Sequence, residues 1–316
     1  MIRLNVENHE LTKLENEDFA FGCFTIMDLE TLSHWHTHNE IVYVHSSSKT
    51  ELSSMEKSKV QPSCTIFING QPIDCFEGEF VLVPHESLHA IIPKNSAQYS
   101  ALVVGDSLLT HVMKDIHINQ AMLPFFSTQP FSPIHVRHNQ PSYDILVKHL
   151  CSIIEIYDAH LPFFEVSIKL ELCHFFLSLF QQFPDLLQSQ TQANTTARNV
   201  HLLKLSLDFM AQNYAHKITI DQLCHLSNLS NQHYSRLFKA YTGKTVVDYL
   251  NDMRLTQASF LLTTTDLPIT HLPELTGFCN SNYFSRVFKD NYGCSPSQYR
   301  KKASAQQMRV GMTSQL

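Results

Sequence analysis

The feature that most constrains this chain is a short repeat near its C-terminal end. Tyr234-Ser-Arg-Leu-Phe-Lys239, followed by Gly243, recurs 50 residues later as Phe284-Ser-Arg-Val-Phe-Lys289, followed by Gly293. In the first copy Tyr234, Leu237, Phe238 and Tyr241 stand at i, i+3, i+4 and i+7, the spacing of one apolar helix face. Gln232, Ser235, Arg236 and Lys239 share that spacing on another face. The second copy sets Tyr283, Phe284, Val287 and Phe288 against Asn282, Ser285, Arg286 and Lys289. Two equivalent two-faced helices in register argue against an undifferentiated helical bundle. Their outer faces combine amides, a hydroxyl, an Arg and a Lys. Arg suits guanine, Asn or Gln suits adenine, and Lys suits phosphate.

A shorter helix precedes each copy. Thr219 and Gln222 form a capping box ahead of Leu223, Cys224 and Leu226. Ser227-Asn228-Leu229 is the turn, and Ser230 caps the next helix ahead of Asn231. In the second unit Ile269 and Leu272 precede Gly277-Phe278, and Asn280 is the cap ahead of Ser281. Gly243 and Gly293 read as C-terminal caps. Helix, short turn, helix with a polar outer face is the helix-turn-helix plan.

The charge distribution points the same way. Residues 1–197 hold 10 Lys and Arg against 22 Asp and Glu, whereas residues 198–302 hold 12 against 7, within an overall net charge of −6. A basic C-terminal third on an acidic chain suits a polyanionic partner for that third, though chance surface charge would look similar.

The residues from Leu226 to Leu262, then DLPIT, then Gly277 to Lys301, resemble the AraC/XylS family of transcriptional regulators over about a third of the chain. The resemblance implies two helix-turn-helix units joined by one long helix, roughly Val246 to Leu262. It places DNA contacts on Gln232, Ser235 and Arg236, and on Ser281, Asn282, Ser285 and Arg286. Asn231, Lys239 and Lys289 complete the expected DNA-binding set. Arg254 matches a family position read here as an intramolecular charge partner of the joining helix rather than a DNA contact. One departure is Pro273, where the family usually has Ala. In a helix interior Pro removes a hydrogen bond and costs about 3 kcal/mol. With Thr270 as N-cap, Pro273 falls in the first turn, where its missing N–H is harmless. A shortened first helix, and looser support for the second recognition helix, are expected.

Residues 19–104 read as strands: FAFGCFTIM, EIVYVH, CTIFING, FVLVP and YSALVV, with Asn69-Gly70 and Glu77-Gly78 as turns. Residues 46–63 form a polar insertion, a flap or an unstructured segment. His34-Trp-His36-Thr-His38-Asn-Glu40 would put residues 34, 36, 38 and 40 on one strand face. Three imidazoles and a carboxylate form a metal-binding set. With Gly78, Pro84 and His89, the pattern resembles the two metal motifs of cupins, placing His34, His36, Glu40 and His89 at ligand positions. Glu86 departs from it, since cupins usually have Gly there. AraC-type sensor domains commonly look like cupins, and their pocket more often serves an effector than a metal. His34, His36, Glu40 and His89 are therefore candidates for effector binding or for a divalent metal. His38 reads as a surface residue, and His85, His149 and His174 form no convincing cluster.

The expected fold is mixed: an N-terminal all-β cupin-like barrel with appended helices, then an all-α domain of two helix-turn-helix units. The expected boundaries are a sensing domain at 1–105, a helical dimerisation region at 106–188, a polar linker at 189–199, a DNA-binding domain at 200–302 and a flexible tail at 303–316. Helices are expected at Tyr143 to Tyr157 and Phe164 to Phe183. In the second, Ile168, Leu172, Phe175, Phe176 and Leu179 recur at helical spacing and suit either core or a subunit interface. The eight cysteines form no CxxC pair and read as reduced structural thiols. No apolar run approaches the ~20 residues of a membrane span, and the polar N-terminus is no signal peptide, so a cytoplasmic protein is expected. The sum is a regulator of transcription, not an enzyme. It would require no cofactor, with a divalent metal as an option. Its expected partners are promoter DNA, a small-molecule effector such as a sugar or related metabolite, RNA polymerase if it activates, and a second copy of itself. The alternative is a metal-dependent cupin enzyme fused to a DNA-binding module.

Overall fold

The computed structural model describes residues 19–46, 61–94, 96–105, 108, 132–140, 142–182 and 194–303, with side chains from 198 onward in the last stretch. The bulk of the expected 46–63 insertion and the tail from 304 lie outside the described residues. The chain divides into two compact units at His201–Leu202.

The N-terminal unit holds two antiparallel sheets. The five-stranded sheet is ordered β1 (Phe21–Met27), β7 (Gln98–Val104), β2 (Asn39–Val44), β5 (Phe80–Val83), β8 (Ile134–Val136). The three-stranded sheet is ordered β4 (Gln71–Cys75), β3 (Cys64–Ile68), β6 (His89–Pro93). β2 and β5 are buried on both faces. Their alternate residues therefore serve two cores. Val42, Val44, Val81 and Val83 meet Cys64, Ile66, Ile68 and Ile91 of the second sheet. Ile41, Tyr43, Phe80 and Leu82 face the other way, toward two helices, α1 (Tyr143–Ala159) and α2 (Phe164–Gln182). β4, with Pro72, is an edge strand, where proline is tolerated.

This second core decides what the aromatic face of α2 is for. Ile168, Leu172, Phe175, Phe176 and Leu179 are fully buried against α1 and the sheet, with the Phe175 ring 5.7 Å from that of Phe80. Each buried side chain of this size is worth ~1.5–3 kcal/mol. These residues are core rather than subunit interface, and α1 and α2 belong to the same unit as the sheets. The boundary at 105 also needs correction. β8 lies beyond it and completes the sheet by pairing with β5, with His135 bonded to Glu79 at 2.8 Å.

The second unit is helical. α3 runs from Asn194 to Asn213, so residues 194–199 of the expected linker are helical. That stretch is polar but holds neither Gly nor Pro, so nothing in it stops a helix. α4 (Ile220–Ser227) and α5 (Asn231–Thr242) form the first helix pair, and α6 (Val246–Thr264) follows. A 3₁₀ turn at Ile269–His271 leads into the four-residue α7 (Leu272–Leu275), and α8 (Ser281–Tyr292) completes the second pair. A last helical stretch covers 296–303.

The expected caps are present. Thr219 and Gln222 form the reciprocal capping box, and Ser230 and Asn280 cap α5 and α8. Gly243 and Gly293 end α5 and α8 in the left-handed conformation, at φ 74° and 68°. Pro273 shortens the first helix of the second pair as expected, although His271, not Thr270, precedes its first residue. The looser support does not follow. Leu272 is buried in one core with Phe278, Phe284, Phe288, Leu255, Ala258 and Leu262.

Candidate nucleic-acid interface and histidine centre

The histidine centre is built by two sheets and one connecting segment. Glu40 comes from β2 and His89 from β6. His34 and His36 do not lie in a strand, contrary to the one-face reading, since β2 begins only at Asn39. Backbone bonds bring them in instead. His34 N donates to His89 O at 2.9 Å, His89 N to His34 O at 2.8 Å, and Glu86 N to His36 O at 2.8 Å. One ligand atom from each of His34, His36, Glu40 and His89 lies within 4.8 Å of the others. All four are buried, at 1–5% exposure. His38 contributes its carbonyl, not its ring.

Each imidazole places Nδ1 against a carbonyl two residues away: His34 on Leu32 at 2.8 Å, His36 on His38 at 2.8 Å, His89 on Ser87 at 2.9 Å. A neutral ring that donates from Nδ1 keeps Nε2 as a lone pair. Yet Nε2 of both His36 and His89 lies 2.9 Å from Glu40 Oε2. Such a centre requires positive charge, from protons or from a cation. Burial alone would raise the Glu40 carboxyl, but His89 and His36 hold it well below the usual carboxylate range. Burial would lower His89, but Glu40 reverses this and raises it. Burial, reinforced by His89, lowers His34 well below its ordinary value. Three imidazoles with carbonyl-anchored Nδ1 and one carboxylate also match a divalent metal's donor set and its outer-shell hydrogen bonds. Two further buried atoms on the β5–β6 loop, His85 Nε2 and Ser87 Oγ, have no hydrogen-bond partner among the described residues.

The second surface consists of the outer faces of α5 and α8. Tyr234, Leu237 and Phe238 are buried, as are Phe284 and Phe288. Gln232, Arg236 and Lys239 are exposed, and so are Ser281, Asn282, Ser285, Arg286 and Lys289; Ser235 is half-buried. Two residues depart from expectation. Asn231 donates to Asp221 of α4 at 2.6 Å and so braces the helix pair. Tyr283 is exposed rather than core, receives a hydrogen bond from Asn251 of α6 at 3.0 Å, and lies under the Arg286 guanidinium at 5.4 Å.

Arg254 of α6 ties the segment between α3 and α4 to the turn of the second helix pair. Its Nε donates to Tyr214 O and its Nη2 to His216 O, both at 2.8 Å, and its guanidinium lies 5.9 Å from the Phe278 ring. Its role is intramolecular, as expected, but its partners are backbone carbonyls rather than an opposite charge. Gly277, at φ 81°, makes this possible. A Cβ there would stand 2.5 Å from Tyr214 O and 2.9 Å from Arg254 Nε.

Residues 223–302 match the model of a family described as a helix-turn-helix domain. Over those residues the C-terminal unit carries a helix-turn-helix domain. The chain is also similar to individual proteins over part of its length. The chain is 34% identical over 129 residues to an uncharacterised HTH-type transcriptional regulator, YijO, of Escherichia coli K12, covering 41% of this chain and 45% of that protein. It is 28% identical over 115 residues to the HTH-type transcriptional activator RhaR of Mannheimia succiniciproducens, covering 36% and 42%. It is 43% identical over 72 residues to the arabinose operon regulatory protein of Salmonella typhimurium, covering 23% and 26%. The chain thus spans less than half the length of these relatives.

The expected outer residues all lie on α5 and α8, with Ser235 half-buried and Asn231 turned to Asp221. Sequence reasoning missed the role of Gly277, whose signal was present only as a glycine in a turn. It also passed over His149 and His174, which the fold brings together with Glu171. A Glu-x-x-His spacing was their only trace.

Proposed function

We propose that this chain is a cytoplasmic, sequence-specific DNA-binding regulator of transcription, not an enzyme, whose N-terminal unit senses a small molecule. One observation carries the reading: α5 and α8 present equivalent exposed sets of amide, hydroxyl, Arg and Lys groups on a basic domain. DNA contacts fall on Gln232, Ser235, Arg236 and Lys239, and on Ser281, Asn282, Ser285, Arg286 and Lys289. Promoter DNA is the partner, with RNA polymerase if the chain activates; RhaR, one relative, is named an activator. A sugar or related metabolite is the favoured effector class, in line with the name of the arabinose operon relative. No described helix is long and apolar enough to cross a membrane. The test is footprinting of the full-length chain on its own upstream DNA. Protection over two adjacent major-groove segments supports the reading, and uniform salt-sensitive coating would sink it.

In the N-terminal unit, His34, His36, Glu40 and His89 would hold a divalent cation, which would neutralise the buried carboxylate and tie the two sheets together. Their sealed position favours a structural or sensing role over catalysis on a substrate from solution. The unpartnered His85 Nε2 and Ser87 Oγ suit a polar guest beside the centre. Metal analysis of untagged protein, and of His36→Ala, tests this; equal metal content in the two would overturn it.

Homodimerisation is assigned to the outer face of α2. Val166, Leu170 and Leu177 are 55–57% exposed and fall at i, i+4 and i+11. That is the a/d spacing of a coiled-coil seam.

A further inference from the structure

A second histidine cluster lies outside every site described so far. His149 projects from α1, and Glu171 and His174 from α2, which packs against it as the other arm of a helical hairpin. Glu171 and His174 are three residues apart, so they share one helix face. The same Glu-x-x-His spacing serves metal sites in helical bundles, where a facing helix supplies the remaining ligands. Here His149 is the facing ligand. Its Nδ1 stands 2.6 Å from Glu171 Oε2, and its ring centroid lies 5.6 Å from that of His174. One ligand atom from each residue lies within 4.8 Å of the other two.

We propose that His149, Glu171 and His174 form a surface site for a borderline divalent cation of the Zn²⁺ class. Two imidazoles and a carboxylate make a three-ligand set that leaves a fourth position to water. Bond lengths of ~2.0–2.2 Å in a tetrahedral shell set ligand atoms about 3.4 Å apart, so His149 and Glu171 must part slightly while His174 draws in. Glu171 and His149 retain 27% and 19% side-chain exposure and His174 is exposed, so rotamer changes suffice without moving a helix. A hydrogen-bonded His149–Glu171 pair alone would not need a third ligand. The convergence of His174 at the i+3 position distinguishes a chelating set from a simple interhelical contact. The donor chemistry, with two nitrogens, disfavours Mg²⁺ and Ca²⁺, which prefer all-oxygen shells. The cation would clasp α1 to α2 on the outer side of the hairpin. It would sit within one turn of Leu170 and Leu177, the exposed stripe of the same helix. The proposal does not depend on the reading of the buried histidine centre.

The experiment is Zn²⁺ titration of the full-length chain against a competing chelating dye, with thermal unfolding at each Zn²⁺ level. His174→Ala and Glu171→Gln are the test variants, and His36→Ala reports on the other centre. His174 is exposed, so its truncation leaves the fold intact and also leaves the His149–Glu171 contact in place. The expected result is a class of Zn²⁺ binding weakened at least tenfold in both test variants and unchanged in His36→Ala. The Zn²⁺-dependent rise in melting temperature from that class should disappear with it. Wild-type titration in both test variants would overturn the proposal. Should His36→Ala match wild type while His174→Ala loses its class, only the reading of the buried centre falls.

Discussion

Glu86 occupies the third position of the Pro84–Ser87 turn at φ 61°, a left-handed conformation that disfavours side chains. The expectation of a glycine there came from a motif resemblance, and the backbone has the glycine geometry with a glutamate in it. Glu86→Gly should therefore relieve ~1–2 kcal/mol of left-handed strain, set against glycine's extra chain entropy and the loss of the side chain's own contacts, with a small net gain in stability expected. A lower denaturant midpoint in the variant would show that the Glu86 side chain contributes more than its backbone costs. Glu79 gives a pH-dependent case. Burial would raise its carboxyl, but His135 and the Phe76 N–H outweigh burial and lower it. A lowered folded value means stabilisation present above the ordinary carboxylate range near ~4.3 and lost as pH falls through the folded value. The melting-temperature gap between wild type and Glu79→Gln should be widest near neutrality and close on acidification. A gap independent of pH would rule out this pairing as its source.

The elements divide by how local their determinants are. α5 and α8 were legible because caps, apolar stripe and C-terminal glycine all lie within about four turns of one sequence stretch. The aromatic face of α2 was equally visible, but a helical period identifies a face and not what covers it. The covering sheet includes Phe80, nearly a hundred residues away. His34 and His36 do lie beside Glu40 and His89, but backbone bonds to His89 and Glu86 bring them there rather than strand alternation. For the two recognition helices, Arg236→Ala and Arg286→Ala should each lose about 1–3 kcal/mol of specific binding, at different base pairs. Lys239→Ala or Lys289→Ala should weaken all sequences alike and lower the salt slope by about one. Because Leu272 of the short α7 shares one core with Phe284 and Phe288 of α8, the two Arg losses should be similar, and α7 gives no reason for asymmetry. Binding to operators with single base changes in each half is the measurement. Loss of discrimination at the same base pairs in both variants would defeat the two-headed arrangement.

At the scale of the molecule, the division into a β-rich unit and a helical unit was readable from composition and charge. Its boundary was readable to within two residues, 199–200 expected against His201–Leu202, although α3 already covers residues 194–199 of the polar stretch. Self-association is the property of the whole chain that the α2 stripe predicts. Full-length protein should sediment as a dimer at micromolar concentration, and Leu170→Lys should shift it to monomer with unchanged far-ultraviolet circular dichroism. A wild-type monomer, or a dimer indifferent to Leu170→Lys, would move the interface elsewhere.

The grip of Arg254 on Tyr214 and His216, with Gly277 pressed against Tyr214 and Arg254, would make the two proposed reading heads the jaws of a fixed caliper. A caliper measures phase as well as length. Heads that enter successive major grooves read segments about 34 Å apart on one side of the duplex. One extra base pair between those segments turns the far one by roughly a tenth of a helical turn, and the clasped domain cannot follow. Binding should therefore fall steeply with each inserted base pair and return only partly at a full turn, where the phase is restored but the distance is wrong. Gly277→Ala, whose Cβ would stand 2.5 Å from Tyr214 O, should open the clasp, weaken binding to the native spacing and flatten that dependence.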